Sequence, residues 1–177
     1  MAVPKAPAFS AGVWPVGTSH PKRLIVSQGN GRAFGASRTS GRLHIGVDAY
    51  ANDGDPVVAV LDGVVVRNRG VFLQGTRADG SHYKVRRILV DHGGIIIGYG
   101  EVWPIDGLAE GQTVHRGETF AHVAKMRASS MMHCETWSKA PQPGRAGRWY
   151  RGEDPPAGLL DPTAMLLALA EDAKGSK

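Results

Sequence analysis

The sequence holds a single cysteine, Cys134, in 177 residues. That excludes an internal disulfide framework and any zinc site built on four thiolates. Its apolar runs are short, and none approaches the roughly 20 residues that a membrane span needs. The opening MAVPKAPAFSAGVWPVG carries one lysine and no continuous apolar block before its prolines, so no signal peptide is read there. No long helical period interrupts residues 43–137, which argues against parallel crossover units. The basic loop GRAFGASRTSGR, residues 31–42, lacks interleaved aromatics and a recognition helix. It reads as a solvated loop, and no specific nucleic-acid partner is expected.

What the sequence does have is glycine and proline, 24 and 11 residues, which point to many turns and short strands. Apolar residues make up 42% of the chain, enough for a packed core. The formal net charge of +5 favours acidic partners without choosing among nucleic acid, anionic membrane and bacterial cell wall.

Residues 1–30 are rich in Pro, Gly, Ser and Ala and read as an extended arm, with the basic cluster Pro21-Lys22-Arg23 and a short apolar run Leu24-Ile25-Val26. From residue 43 come β-branched runs bounded by turn residues: Val57–Val60, Gly63–Val66, Arg87–Val90 and Ile95–Ile97. The fold class is mainly β: a small antiparallel sheet or barrel-like domain over 31–137, with the N-terminal arm before it. Residues 138–177 form a loop and a C-terminal helix packing on the same domain. That helix is announced by Asp161 as a cap, Pro162 in the first turn, and Met165, Leu166 and Leu169 on one face.

In His44-Ile45-Gly46-Val47-Asp48 the histidine and the aspartate are four apart, so on a strand they share a face. In Met131-Met132-His133-Cys134-Glu135, alternation points Met131, His133 and Glu135 one way and Met132 and Cys134 the other. An imidazole and a carboxylate on one face are a plausible pair of zinc ligands, with His133 a third. A surface His beside a surface Asp fits the first spacing equally. Cys134 reads as a buried packing residue, and His20, His82, His115 and His122 have no partner spacing.

The order of the parts is more specific than any one of them. GRLHIGVDAYANDGDPVVAVLDGVVV, ILVDHGGIIIGYGEV, GQTVHRGETFAHV and MMHCETW together resemble the lysostaphin/LytM-type zinc endopeptidases of peptidoglycan. The resemblance covers roughly residues 31–137. It implies zinc held by His44, Asp48 and His133, with a fourth tetrahedral position left for water. Two departures stand out. The family's catalytic histidine two residues before the last ligand is Met131 here, and its "Y-A-H" histidine falls on Glu101, in Tyr99-Gly100-Glu101. A thioether moves no proton, whereas Glu101 is either a general base near the attacking water or a solvent-facing acid at a strand end in a protein that lost catalysis.

The resemblance further implies that Glu135 either orients His133 or is simply a polar residue on the strand face, and that His92 is structural or supports the site from behind the ligands. It leaves Tyr99 and Tyr50 to border the groove. Trp103, Trp137, Trp149 and Tyr150 either stack on sugars or pack. The activity implied is cleavage of peptide cross-links of bacterial peptidoglycan; the alternative is an inactive module that binds wall or partner proteins. Without a signal peptide the expected setting is a phage virion or the host cytoplasm, before release to the periplasm or cell wall, with phage tail proteins as candidate partners.

Overall fold

The structure is a computed structural model that describes residues 2–17, 30–126, 130–142 and 148–172. The cluster at 21–26 and His20 lie outside them. Ten strands and one α-helix follow in chain order: β1 (Val47–Tyr50), β2 (Pro56–Val58), β3 (Gly63–Arg67), β4 (Leu73–Thr76), β5 (His82–Asp91), β6 (Ile96–Pro104), β7 (Thr113–Val114), β8 (Thr119–Val123), β9 (Met131–Trp137), β10 (Leu159–Leu160) and α1 (Thr163–Asp172). The strands form one sheet with the central order β1-β9-β6-β5-β3-β7, and every pairing among them is antiparallel. The glycines and turn residues between the β-branched runs make those short reversals possible, and no crossover helix is needed. No helix among the described residues is long and apolar enough to cross a membrane.

The two longest strands, β5 and β6, carry the rest. Along one edge β6 is paired to β5 from Ile96 to Val102. Along its other edge it pairs first with β9, through Gly100 opposite His133, and then with β8, from Val102 opposite Val123. Glu101 sits between those two pairings. It is also the extra residue of a β-bulge, because Arg86 and Arg87 of β5 face Val102 and Gly100. Bulges kink a strand and re-aim a side chain.

Alternation along the strands builds the core. Val47, Ala49, Ile88, Val90, Ile97, Tyr99, Val102, Phe120, Met132 and Cys134 are fully buried on one side of the sheet. α1 adds Met165, Leu166 and Leu169 to that core, and the Asp161 carboxylate accepts a hydrogen bond from Thr163 N at 2.9 Å to cap it. The arm over residues 2–17 docks rather than dangles. Ala6 N donates to Asp161 O, Val13 N to Val60 O and Gly17 N to Pro56 O, and Trp14 and Val16 are buried.

The basic loop departs from the sequence reading. Ala33, Phe34 and Ala36 are buried, so the first half of 31–42 packs on the domain, while residues 37 and 39–42 are exposed. Phe34 lies 6.0 Å, ring to ring, from Trp149, and Leu43 N donates to Trp149 O, which makes Trp149 a packing residue. Trp137 is likewise buried in the core, while Trp103 is exposed.

One glycine is required by close approach. A Cβ at Gly46 would lie 2.4 Å from Cys134 O and 2.7 Å from His133 Cε1. Gly46→Ala is therefore expected to cost about 1–3 kcal/mol through overpacking. A denaturant melt should show a lowered midpoint with an unchanged slope. An unmoved midpoint would mean that β1 can shift away from β9.

Candidate metal centre

The pairing of β1 with β9 sets Asp48 opposite His133, and His44 precedes β1 by one turn of loop. One donor atom from each of His44, Asp48 and His133 lies within 4.8 Å of the other two. His44 Nε2 stands 3.0 Å from His133 Nδ1 and 3.2 Å from Asp48 Oδ1, and His133 Nδ1 is 2.8 Å from the same carboxylate oxygen. All three side chains are buried.

The far edges of both imidazoles are held from outside. His44 Nδ1–H donates to Ala33 O at 2.9 Å. His133 Nε2 is 3.2 Å from Glu135 Oε1, an ion-pair contact not aligned as a hydrogen bond. Glu135 is itself fixed: Arg87 Nη1 donates to both its oxygens at 3.0 and 2.8 Å, and Trp137 Nε1–H donates to Oε2 at 2.9 Å. These outer contacts turn His44 Nε2 and His133 Nδ1 inward, as metal-ligating histidines require. Asp48 is held by Arg38, whose Nη2 donates to Oδ2 at 3.1 Å and leaves Oδ1 on the shared side. Two imidazoles and one carboxylate converging in this way suit zinc.

The electrostatics agree. Burial disfavours charge on Asp48, but hydrogen bonds from His133 and His44 outweigh it and hold the carboxyl far below its ordinary range. Burial also opposes charge on His133, yet Asp48 and Glu135 raise it to about 10. Burial lowers His44.

Glu101 differs from the ligands in its backbone as well as its surroundings. Its φ is +64°, a left-handed conformation that only one other non-glycine, Ser40, adopts among the described residues. Its side chain is buried, and its Oε2 has no hydrogen-bond partner among them. Burial raises its pKa to about 7, and the charges it feels are those of His133, Asp48, Arg38 and Arg32. The carboxyl thus feels the charges of the ligand cluster and keeps an unsatisfied oxygen.

Tyr99 needs correction, and His92 takes the structural one of its two readings. Tyr99 does not border a groove: it follows Gly98 on β6, so its side chain points to the opposite, core face, and it is fully buried. Its hydroxyl accepts from Val60 N at 3.1 Å and lies 2.9 Å from His92 Nε2. His92 also contacts Asp62 O at 3.1 Å, so it braces Tyr99 from the core side and has no contact with the ligand cluster. Tyr50 does lie at the edge of the cluster, half-buried, with the Arg32 guanidinium 4.3 Å from its ring centre. Cys134 is buried with a raised pKa, as a packing thiol is. His82, His115 and His122 are exposed and bond elsewhere, to Thr76, Asp62 and Gly54.

Sequence reasoning missed three contributors. Phe72, ahead of β4, packs its ring 5.5 Å from that of His133 and 5.3 Å from the Arg87 guanidinium. Arg38 and Ala33 come from the loop read as solvated. Only the glycine spacing there hinted at a turn, and nothing in the sequence linked it to Asp48.

The profile of peptidase family M23 matches residues 42–143, more than half of the chain. The chain belongs to peptidase family M23. No curated protein matches it significantly. Among solved structures, a chain from Ruminococcus gnavus named as a glycyl-glycine endopeptidase, LytM, is 17% identical with a TM-score of 0.54. The alignment covers 92% of this chain and 61% of that one. The catalytic domain of lysostaphin from Staphylococcus simulans is 16% identical over 76% of this chain and 88% of its own, at a TM-score of 0.49. Csd3 from Helicobacter pylori is 17% identical over 93% of this chain, which spans 40% of that structure, at 0.49. The Ruminococcus likeness shows that this M23 chain shares the fold.

The M23 site should take up one zinc or cobalt ion per chain. Because His133 must give up its Nδ1 proton to bind, affinity should rise between pH 6 and 8. Calorimetry at several pH values measures both quantities. His133→Ala should abolish uptake; retained stoichiometric binding would place the ion elsewhere.

Proposed function

We propose that this M23 peptidase is a zinc-dependent endopeptidase that cuts peptide cross-links of bacterial peptidoglycan. His44, Asp48 and His133 hold the ion in this reading, and Glu101 is the general base. The observation that carries it is the Glu101 carboxyl: strained at the split of β6, buried, lacking a partner for Oε2, and within the influence of the ligands' charges. Strain and an orphaned polar atom are costly, and such costs concentrate at functional sites.

Zinc bound there would acidify a water molecule and polarise a peptide carbonyl. The remaining steps belong to the chain. A carboxyl raised to about 7 is half-ionised near neutrality, so Glu101 can take a proton from the attacking water and return it to the leaving amine. Arg38 keeps Asp48 from rotating away, Glu135 keeps Nδ1 of His133 facing inward, and Phe72 screens the His133 ring from solvent. Met131 transfers no proton, which puts both the taking and the giving on Glu101. The basic surface favours residence on an anionic wall.

Incubation of the zinc-loaded protein with purified peptidoglycan, with and without chelator, is the direct test. Mass spectrometry should find chelator-sensitive fragments bearing a new amine. Intact sacculi from several wall types would favour a non-catalytic binding module instead.

Glu101→Gln separates mechanism from stability. Cleavage should fall by about 100-fold or more, the range of a lost general base, with zinc uptake retained. The folded-state pKa of Glu101 is raised above its unfolded value, so the folded protein binds the extra proton between about 4.5 and 7. Its contribution to stability is therefore present below that window and lost as pH rises through it. The metal-free Gln variant should gain about 1–3 kcal/mol over the parent at pH 8 and little at pH 4. Chemical denaturation at the two pH values measures the difference; an equal effect at both would assign Glu101 no raised pKa.

A further inference from the structure

Arg32 is held at the edge of the site by the same segment that orients the ligands. Its backbone oxygen accepts from Asp48 N at 2.9 Å, its own N–H donates to Asn30 Oδ1 at 3.0 Å, and the next residue, Ala33, holds His44. The side chain runs over the Tyr50 ring, 4.3 Å from its centre, and reaches Met131 Sδ with Nη1 at 3.3 Å. Tyr50 and Met131 are themselves opposite one another, two residues beyond the Asp48–His133 pair on the same face. The pair against which the guanidinium lies is one pleat, about 7 Å, along the sheet from the Asp48–His133 pair.

A thioether is a weak acceptor. It is the one side-chain hydrogen-bond partner of the Arg32 guanidinium among the described residues, while nearby Arg38 is committed to Asp48. A half-buried, pre-positioned cation with most of its five donors uncommitted is suited to a planar anion. The spacing matters too. About 7 Å is one to two residues of extended peptide, so a group paired with Arg32 is a neighbour of the scissile bond and not the scissile carbonyl itself.

We propose that Arg32 is a specificity-determining residue that pairs with a carboxylate on a substrate residue flanking the bond to be cut. The chain then acts on anionic peptides in preference to neutral, glycine-rich ones. This rests on the reading of the site as a peptidase centre, and names the class of peptide it takes.

The experiment uses the full, zinc-loaded chain and cross-linked muropeptides carrying free carboxylates. Matched samples have either the terminal or the side-chain carboxylate amidated, which separates the two sources. A glycine-only peptide is the neutral control. Binding is measured by calorimetry on the Glu101→Gln variant, and cleavage on the parent. The free acid should bind roughly tenfold or more tightly than one of its amides, the size of one charge-assisted hydrogen bond. Arg32→Gln should erase that difference through KM with kcat nearly kept, and Arg32→Lys should restore part of it. Equal binding of acid and amide by the parent would overturn the proposal. So would an Arg32→Gln variant that weakens all ligands alike, since that is the mark of a structural role. Cleavage without acid preference leaves the peptidase reading standing and ends this one; acid-selective binding without cleavage does the reverse.

Discussion

The antiparallel pairing of β1 with β9 is the constraint on which the site depends. It is the only route by which Asp48 and His133, 85 residues apart, meet at 2.8 Å. Its register is fixed from the other face of the sheet. Val47 and Ala49 on β1 and Met132 and Cys134 on β9 are fully buried in the core. A slip of one residue would turn these four outward and both candidate ligands inward. The hydrophobic effect acting on the core face thus fixes the geometry on the polar face. Gly46 allows the final approach, because its missing Cβ leaves room for the His133 ring.

Burying the charges of the ligand cluster demands a partner for each of them. The chain Arg38, Asp48, His133, Glu135, Arg87 alternates in sign, and each link is a contact between 2.8 and 3.2 Å. Breaking one link would leave a buried charge unpaired, which is far worse than never having built it. Zinc fits this arrangement because replacing the proton on His133 with a cation keeps the alternation intact. The other buried polar system, His92 with Tyr99, lies on the core side and is satisfied by backbone groups of Val60 and Asp62. It stabilises the sheet behind the site without taking part in it.

Much of this was legible from residue order. The β-branched runs with glycine-rich turns specify an antiparallel sheet, and alternation around His133 puts it on the right face, but His44 reaches the same place from the loop before β1 and not from the strand that the four-residue step assumed. Other parts were hidden for identifiable reasons. Period-two alternation places Tyr99 opposite Gly98 and Gly100, but it was read from its neighbourhood in sequence and not from its face. The bulge at Glu101 depends on β6 exchanging β9 for β8, a long-range event with no local mark. No residue type announces a glutamate at positive φ. The segment 31–42 looked solvated because its glycines and arginines outnumber the three apolar residues that anchor it.

The strain at Glu101 and the half-used guanidinium of Arg32 have a common origin. A bulge that carried glycine would cost less, and a buried carboxyl with both oxygens bonded would stabilise the sheet more. Met131 gives Arg32 a surface to lie on but only a weak acceptor, so the cation is positioned without being neutralised. The same is true of Glu101, which is surrounded by charge and yet keeps one oxygen unpaired. Where the related pattern has two imidazoles, each able to donate, accept and carry charge, this chain divides those properties. In the proposed reading the carboxyl would exchange the proton and the guanidinium would supply a fixed positive charge that cannot be titrated away near neutral pH. A consequence is that base and cation no longer titrate together. Activity should then follow the ionisation of one group on its rising limb, with no second imidazole to shape it.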